Sequence, residues 1–365
     1  MGNLGLTELL RKALEMGGSD VFIVPGSPVM AKVNGSVVPV SPERMMPEDT
    51  RMLVASAYEL ARRDEKILER NGDDDFSFSL VQLCRFRCNV YKQRGTLAAT
   101  CRVVAFGLPD PSELKIPPLV MELTKLHSGM ILVTGPAGSG KSTTLACMID
   151  RINATRSGHI ITIEDPIEYL HSHRSSLVSQ REVPADAPTF DRALRAALRQ
   201  APDVIMLGEM RDHETMQTAI TAAETGHLLL SSLHTVGAAK TVDRIIDAFP
   251  PSQQQQVRIQ LSMVLRAVIS QRLIPRLDGK QSAVFEIMTI NPAVQNMIRD
   301  GKTHQIDNVI YSGAGGAGGA VGAAAGGQQM LSMDSELVRM YKAGEIAKDT
   351  AIAFAVNQDM MKKRI

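Results

Sequence analysis

The chain has 365 residues, enough for two domains of ordinary size, and 44% of them are apolar, enough for sizeable cores. Its 40 basic and 39 acidic residues leave a formal charge of +1, so bulk charge gives no support to a protein that grips nucleic acid through its phosphates. No stretch reaches the roughly 18 apolar residues of a membrane span and the N-terminus lacks a signal-peptide run, so a cytoplasmic chain with at most peripheral membrane contact is expected.

Leu4, Leu6, Leu9, Leu10 and Leu14 make a helical stripe over 3–16, which Gly17 and Gly18 end. A strand follows at 21–24, and Asn34-Gly35 between two short apolar runs predicts a tight hairpin. Two helices are predicted over 47–70, then strands at 76–80, 85–91 and 97–104, with Arg94-Gly95 in the last turn. Cys84 and Cys88 have a C-x3-C spacing, but no second pair and no nearby His completes a four-ligand zinc set. With Cys101 and Cys147 they read as buried or half-buried thiols. Residues 1–106 thus read as a small α+β domain.

Gly107, Pro109, Pro111, Pro117 and Pro118 predict a semi-rigid linker over 107–118. From 119 to 365 the pattern becomes alternating strands and helices, which implies an α/β domain on a mainly parallel sheet. Its strands are expected at 130–134, 160–164, 176–178, Val204–Leu207 and Leu228–Leu233. After about Gln254 the chain reads as mostly helical. The tract 313–327, almost wholly Gly and Ala, predicts a disordered loop.

Gly135-Pro136-Ala137-Gly138-Ser139-Gly140-Lys141-Ser142, followed by Thr143, fits the phosphate-binding loop G-x-x-x-x-G-K-[ST] between a strand and a helix. The glycines let backbone N–H groups turn toward phosphates, Lys141 reaches the β and γ phosphates, and the Ser142 hydroxyl suits Mg²⁺. ATP and Mg²⁺ are therefore the expected ligands. Hydrolysis also needs an acid that orients water and one that supports the metal. Glu164 and Glu209 each follow an apolar strand, where α/β sheets place their ligands, and spacing does not decide which takes which role. His227 and His234 flank the strand between them and read either as sensors of the γ-phosphate or as core and capping histidines.

The order of these elements resembles the secretion ATPase superfamily: P-loop, acidic box over 162–168, Walker B segment over 203–212 and histidine box over 225–235. The likeness covers nearly the whole chain. Gly208-Glu209-Met210-Arg211-Asp212 is similar to the type IV pilus retraction (twitching motility) branch. So is Ala293-Val294-Gln295-Asn296-Met297-Ile298-Arg299-Asp300-Gly301-Lys302, which resembles the AIRNLIREGK element tied to retraction. Pilus-assembly and type II secretion relatives, the alternative reading, usually carry a tetracysteine zinc module and a longer N-terminal extension, and neither is found here. A DNA-linked RecA-like motor fits poorly with so few aromatics for base stacking. A nucleotide-binding scaffold fits poorly with two candidate acids.

The resemblance implies a RecA-like core with a PAS-like N-terminal domain, and a homohexameric ring with ATP between the two domains. It also implies an inner-membrane platform protein as partner, related pilus ATPases as possible associates, and a place at the cytoplasmic face of the inner membrane. It assigns Glu164 as the water-activating base, Glu209 as the Walker B acid, and His227 and His234 as the family's histidines. Arg87 and Arg102, on neighbouring strands, match the N-domain arginines that neutralise phosphate charge. Two departures stand out: Phe22 replaces the histidine the family often carries after Ser-Asp-Leu, and the Gly/Ala tract is unusually long.

Overall fold

A computed structural model describes residues 5–80, 83–104, 107–313 and 330–365. The expected loop at 313–327 therefore lies, but for Gly313, outside the described residues. The chain divides into two compact units, Met1–Gly107 and Leu108–Ile365.

The first unit holds six strands: β1 (Gly18–Ile23), β2 (Met30–Val33), β3 (Ser36–Pro39), β4 (Asp73–Leu80), β5 (Cys84–Gln93) and β6 (Thr96–Val104). They pair antiparallel in the order β3-β2-β1-β6-β5-β4. Both tight turns use left-handed backbone at two successive residues, Asn34-Gly35 and Arg94-Gly95, as two-residue hairpins require. Side chains alternate across the sheet. Phe86, Cys88 and Val90 of β5 point into a core closed by the helices Leu6–Glu15, Pro47–Ala61 and Lys66–Asn71, while Arg87 stands exposed on the other face. All four cysteines are free and buried; Cys88 and Cys101, opposite each other on β5 and β6, have their sulfurs 3.3 Å apart.

The second unit holds β7 (Gly129–Thr134), β8 (His159–Glu164), β9 (Leu177–Glu182), β10 (Val204–Leu207), β11 (Leu228–Leu233), β12 (Leu265–Pro275) and β13 (Gln281–Thr289). Their order is β13-β12-β7-β11-β10-β8-β9, parallel throughout except for the antiparallel edge strand β13. Every residue of β7, β10 and β11 is buried, as expected of strands covered on both faces. Met130 and Leu132 pack into one core with Ile205 and Leu229, while Ile131 and Val133 pack into another with Val204 and Leu230. Residues just after Gly107 belong with this unit. Ile116 is buried in its core, and Lys115 Nζ lies 3.0 Å from a Glu345 carboxylate oxygen.

The structure corrects the expectation of a mostly helical region after Gln254. The helix Pro251–Val264 is followed by the long hairpin β12–β13, which extends the sheet by two strands. Periodicity alone does not separate a buried strand from a helix in so apolar a run. The turn residues Asp278-Gly279, with Gly279 at φ +78°, carry the signal that distinguishes them. The retraction-like element at 293–302 forms the helix Pro292–Arg299, capped by Asn291 Oδ1 and anchored by buried Val294 and Ile298.

Candidate active site

The carboxyl ends of four adjacent parallel strands converge, as open α/β sheets place their ligand sites. Strand β7 runs into the loop Gly135–Gly140, β8 ends in Glu164, β10 leads to Gly208-Glu209, and β11 leads to His234. A cleft between these ends is lined by Lys141, Ser142, Glu164, Glu168, Glu209 and His234, among others.

The loop's shape depends on glycine at particular points. Gly135, Gly138 and Gly140 have φ of +147°, +74° and +88°. A Cβ on Gly135 would lie 2.1 Å from the backbone oxygen of Gln271 on β12, so the loop presses directly on that strand. The Gln271 side chain ties the first turn of the following helix to the sheet, for its Oε1 accepts from Thr144 Oγ1 at 2.8 Å. Gly140 caps the helix Lys141–Thr155, whose N-terminus faces the cleft with unpaired N–H groups. Thr143 on that helix hydrogen bonds with the Tyr169 hydroxyl at 2.9 Å.

Lys141 is buried, and its ammonium donates to the carbonyls of Gly135 and Pro136 at 3.0 Å each. Burial pulls its pKa below the ordinary lysine value, while Glu209 and Glu168 push it back up. His234 bridges the P-loop and the Walker B segment. Its Nδ1 lies 3.5 Å from Lys141 Nζ and its Nε2 lies 3.3 Å from Glu209 Oε2. Lys141 has only donors to offer, so Nδ1 is the acceptor toward it and Nε2 faces the carboxylate as donor. The other Glu209 oxygen is paired with Arg211, whose guanidinium also reaches Asp165 at 3.8 Å. Burial alone would raise the Glu209 pKa, but Arg211 and then His234 hold it below the ordinary value.

Glu164 behaves in the opposite way. It is 7% exposed, and burial pushes its pKa up to about 7 against the pull of hydrogen bonds from Thr162, Gln180 and the Glu168 N–H. Two carboxylates in one cleft are thus driven apart, one ionised in an ion-pair network and the other poised near neutrality, the pattern expected of metal support and general base.

The type II/IV secretion system protein family model matches residues 112–355. The chain belongs to this family. It is 44% identical over 333 residues to the twitching motility protein of Neisseria gonorrhoeae, covering 91% of this chain and 85% of that one. It is 40% identical over 350 residues to the type IV pilus ATPase PilU of Pseudomonas aeruginosa, covering 95% and 88%. A crystal structure of the pilus retraction motor PilT with bound ADP superposes with a TM-score of 0.87 at 42% identity, covering 99% of this chain and all of that one. The fold is accordingly the RecA-like core of the secretion ATPases with an N-terminal α+β domain.

The sequence-predicted residues of this secretion family member divide into three groups. Gly135, Pro136, Ala137, Gly138, Ser139, Gly140, Lys141, Ser142 and Thr143 form one continuous loop and helix start, and Glu164, Glu209 and His234 join it around the cleft. His227 does not. It precedes the other end of β11, about 20 Å from the loop at the usual strand rise. There its Nδ1 bonds the Ala222 carbonyl at 2.9 Å and lies 3.2 Å from Thr225 Oγ1, which closes the end of the preceding helix. Arg87 and Arg102 face each other on β5 and β6 of the first unit, both exposed. Arg102 Nε donates to Asp20 Oδ1 at 2.8 Å, and its side chain is 68% exposed. Asp20 is itself buried, so Arg102 is tied at one end to a sheltered carboxylate while the rest of its side chain stays in solvent. Gln271, Thr162, Gln180 and Tyr169 were not anticipated. Thr162 stands two residues from Glu164, whereas the other three touch the predicted residues across longer sequence separations that no local motif encodes.

Proposed function

We propose that this chain is an ATP-hydrolysing motor that works as a homohexamer and powers retraction of a type IV pilus. The observation that carries the reading is the cleft itself: a P-loop with a buried Lys141 faces one ionised carboxylate, Glu209, and one carboxyl tuned by burial, Glu164. The likeness to PilT and the helix at Pro292–Arg299 favour retraction over assembly. No helix among the described residues is long and apolar enough to cross a membrane, so work at the inner-membrane face would need a platform protein.

The P-loop N–H groups and Lys141 bind and orient the ATP phosphates. Glu164 takes a proton from water as the water oxygen bonds to the γ-phosphorus, and the bond to the β,γ-bridging oxygen breaks to release ADP. The oxygen-rich set suits Mg²⁺: the Ser142 hydroxyl would hold it directly and Glu209 through water. The buried Ser139 Oγ, which has no hydrogen-bond partner among the described residues, adds a polar group that a phosphate ligand would satisfy. When bound, the metal neutralises charge on the β and γ oxygens. Glu209, held by Arg211 and His234, stays ionised for that task.

Arg87 and Arg102 add cationic charge as the phosphate charge redistributes. Arg87→Ala and Arg102→Ala are each expected to lower kcat for ATP at least about tenfold, with little change in melting temperature for Arg87→Ala and a measurable drop for Arg102→Ala, which strips buried Asp20 of its cation. Phosphate release at the wild-type rate from both variants would leave the arginines as a solvated strand face.

A further inference from the structure

The Glu164 carboxylate is held unevenly, and the asymmetry singles out one of its oxygens. Thr162 lies two residues earlier on β8, so its side chain emerges on the same face of the sheet. Fully buried, it sends its Oγ1 hydrogen to Glu164 Oε1 at 2.7 Å. Gln180, directly opposite Thr162 on β9, approaches the same oxygen with Nε2 at 3.3 Å. The orientation of this amide is fixed by its other bonds. Its Oε1 accepts from the His171 N–H at 2.8 Å, and its Nε2 donates to the Tyr169 carbonyl at 2.9 Å. Flipping it would set donor against donor and acceptor against acceptor. Among the described residues Oε2, by contrast, meets only the Glu168 N–H at 3.5 Å, the outer limit of a hydrogen bond.

We propose that Thr162 and Gln180 are positioning residues for the proposed base: they hold Oε1 of Glu164 and leave Oε2 as the atom that takes the proton from water. The inference rests on the reading of Glu164 as the base. Thr162 is well suited to the task because its β-branch restricts χ1 and its hydroxyl is committed to the Glu164 carboxylate. The charged and titratable groups around Glu164 are Lys141, Asp165, Glu168, Tyr169, His171, Glu209 and His234 of the cleft, with Glu182 beside it on β9 and Arg211 bound to Asp165 and Glu209. None of these donates to Oε1.

The sign of the pH effect follows. Only ionised Glu164 can accept the proton, so wild-type kcat/KM should rise with pH to a plateau, with its midpoint near pH 7. The Thr162 and Gln180 donors favour the ionised form, so their loss moves the midpoint upward. Thr162→Val in the full chain keeps the shape and removes the donor. It is expected to raise the midpoint by about one pH unit and lower plateau kcat about tenfold, with KM for ATP within about twofold of wild type. Thr162→Ser should recover the wild-type profile. Gln180→Leu should shift the midpoint in the same direction, and it serves as the test if Thr162→Val does not fold. A folded donor-less variant whose profile superposes on wild type overturns the inference. Glu164→Gln measured in parallel separates the two claims. If it turns over at the wild-type rate, the base assignment fails. If it is inactive while Thr162→Val is unshifted, only the positioning role fails.

Discussion

Glu164→Gln is expected to lower kcat for ATP by about a hundredfold to ten-thousandfold while ADP affinity stays within about twofold. The amide has nearly the size of the carboxyl and can still accept the Thr162 hydrogen bond at 2.7 Å. The cleft should therefore keep its shape. What is lost is the one group among the described cleft residues that burial poises near pH 7. Glu209 cannot take over, because Arg211 and His234 hold it ionised and engaged. Single-turnover phosphate release with a parallel ADP titration reads both quantities. A variant that turns over normally would remove Glu164 from the chemistry, whereas loss of ADP binding would mean that the residue shapes the pocket instead.

Gly135→Ala is the second large effect, and it acts through binding. The added methyl would stand 2.1 Å from the Gln271 carbonyl and 2.7 Å from Ser139 Oγ, on a residue at φ +147°. The carbonyl cannot retreat cheaply, for β12 is paired with β7 up to Ser270 opposite Thr134. The loop must move instead, taking its N–H groups and the carbonyls around Lys141 with it. ADP affinity is expected to fall at least about a hundredfold, and stability by about 1–3 kcal/mol for an overpacked site. Gly138→Ala is the informative contrast: its Cβ would meet open space, leaving only the left-handed backbone cost of about 1–2 kcal/mol. Calorimetric ADP titration of both variants checks the order. Equal losses would show that backbone conformation, not contact with β12, governs the loop.

These residues also show what a sequence can disclose. The P-loop is contiguous, so its chemistry is written in eight neighbouring letters. Glu164, Glu209 and His234 were legible because each follows an apolar strand, and parallel strands bring their carboxyl ends together. The same rule separates His234 from His227, which shares the strand but precedes it; spacing alone did not weigh which end of β11 each occupies. Thr144 and Gln271 are 127 positions apart, and their contact exists only because β12 inserts beside β7. That insertion was itself hidden, since an apolar run such as Leu265–Pro275 suits a buried helix as well as a strand. Thr162 was visible within the acidic box, but its role depends on which Glu164 oxygen faces the cleft, a matter of rotamer that periodicity does not encode.

The direct test of the motor assignment is to delete the gene in its host and count surface pili by electron microscopy while scoring twitching. Retraction predicts excess pili on cells that no longer twitch, because fibres are still built but not withdrawn. Bald cells would contradict it and make this ATPase the engine of assembly.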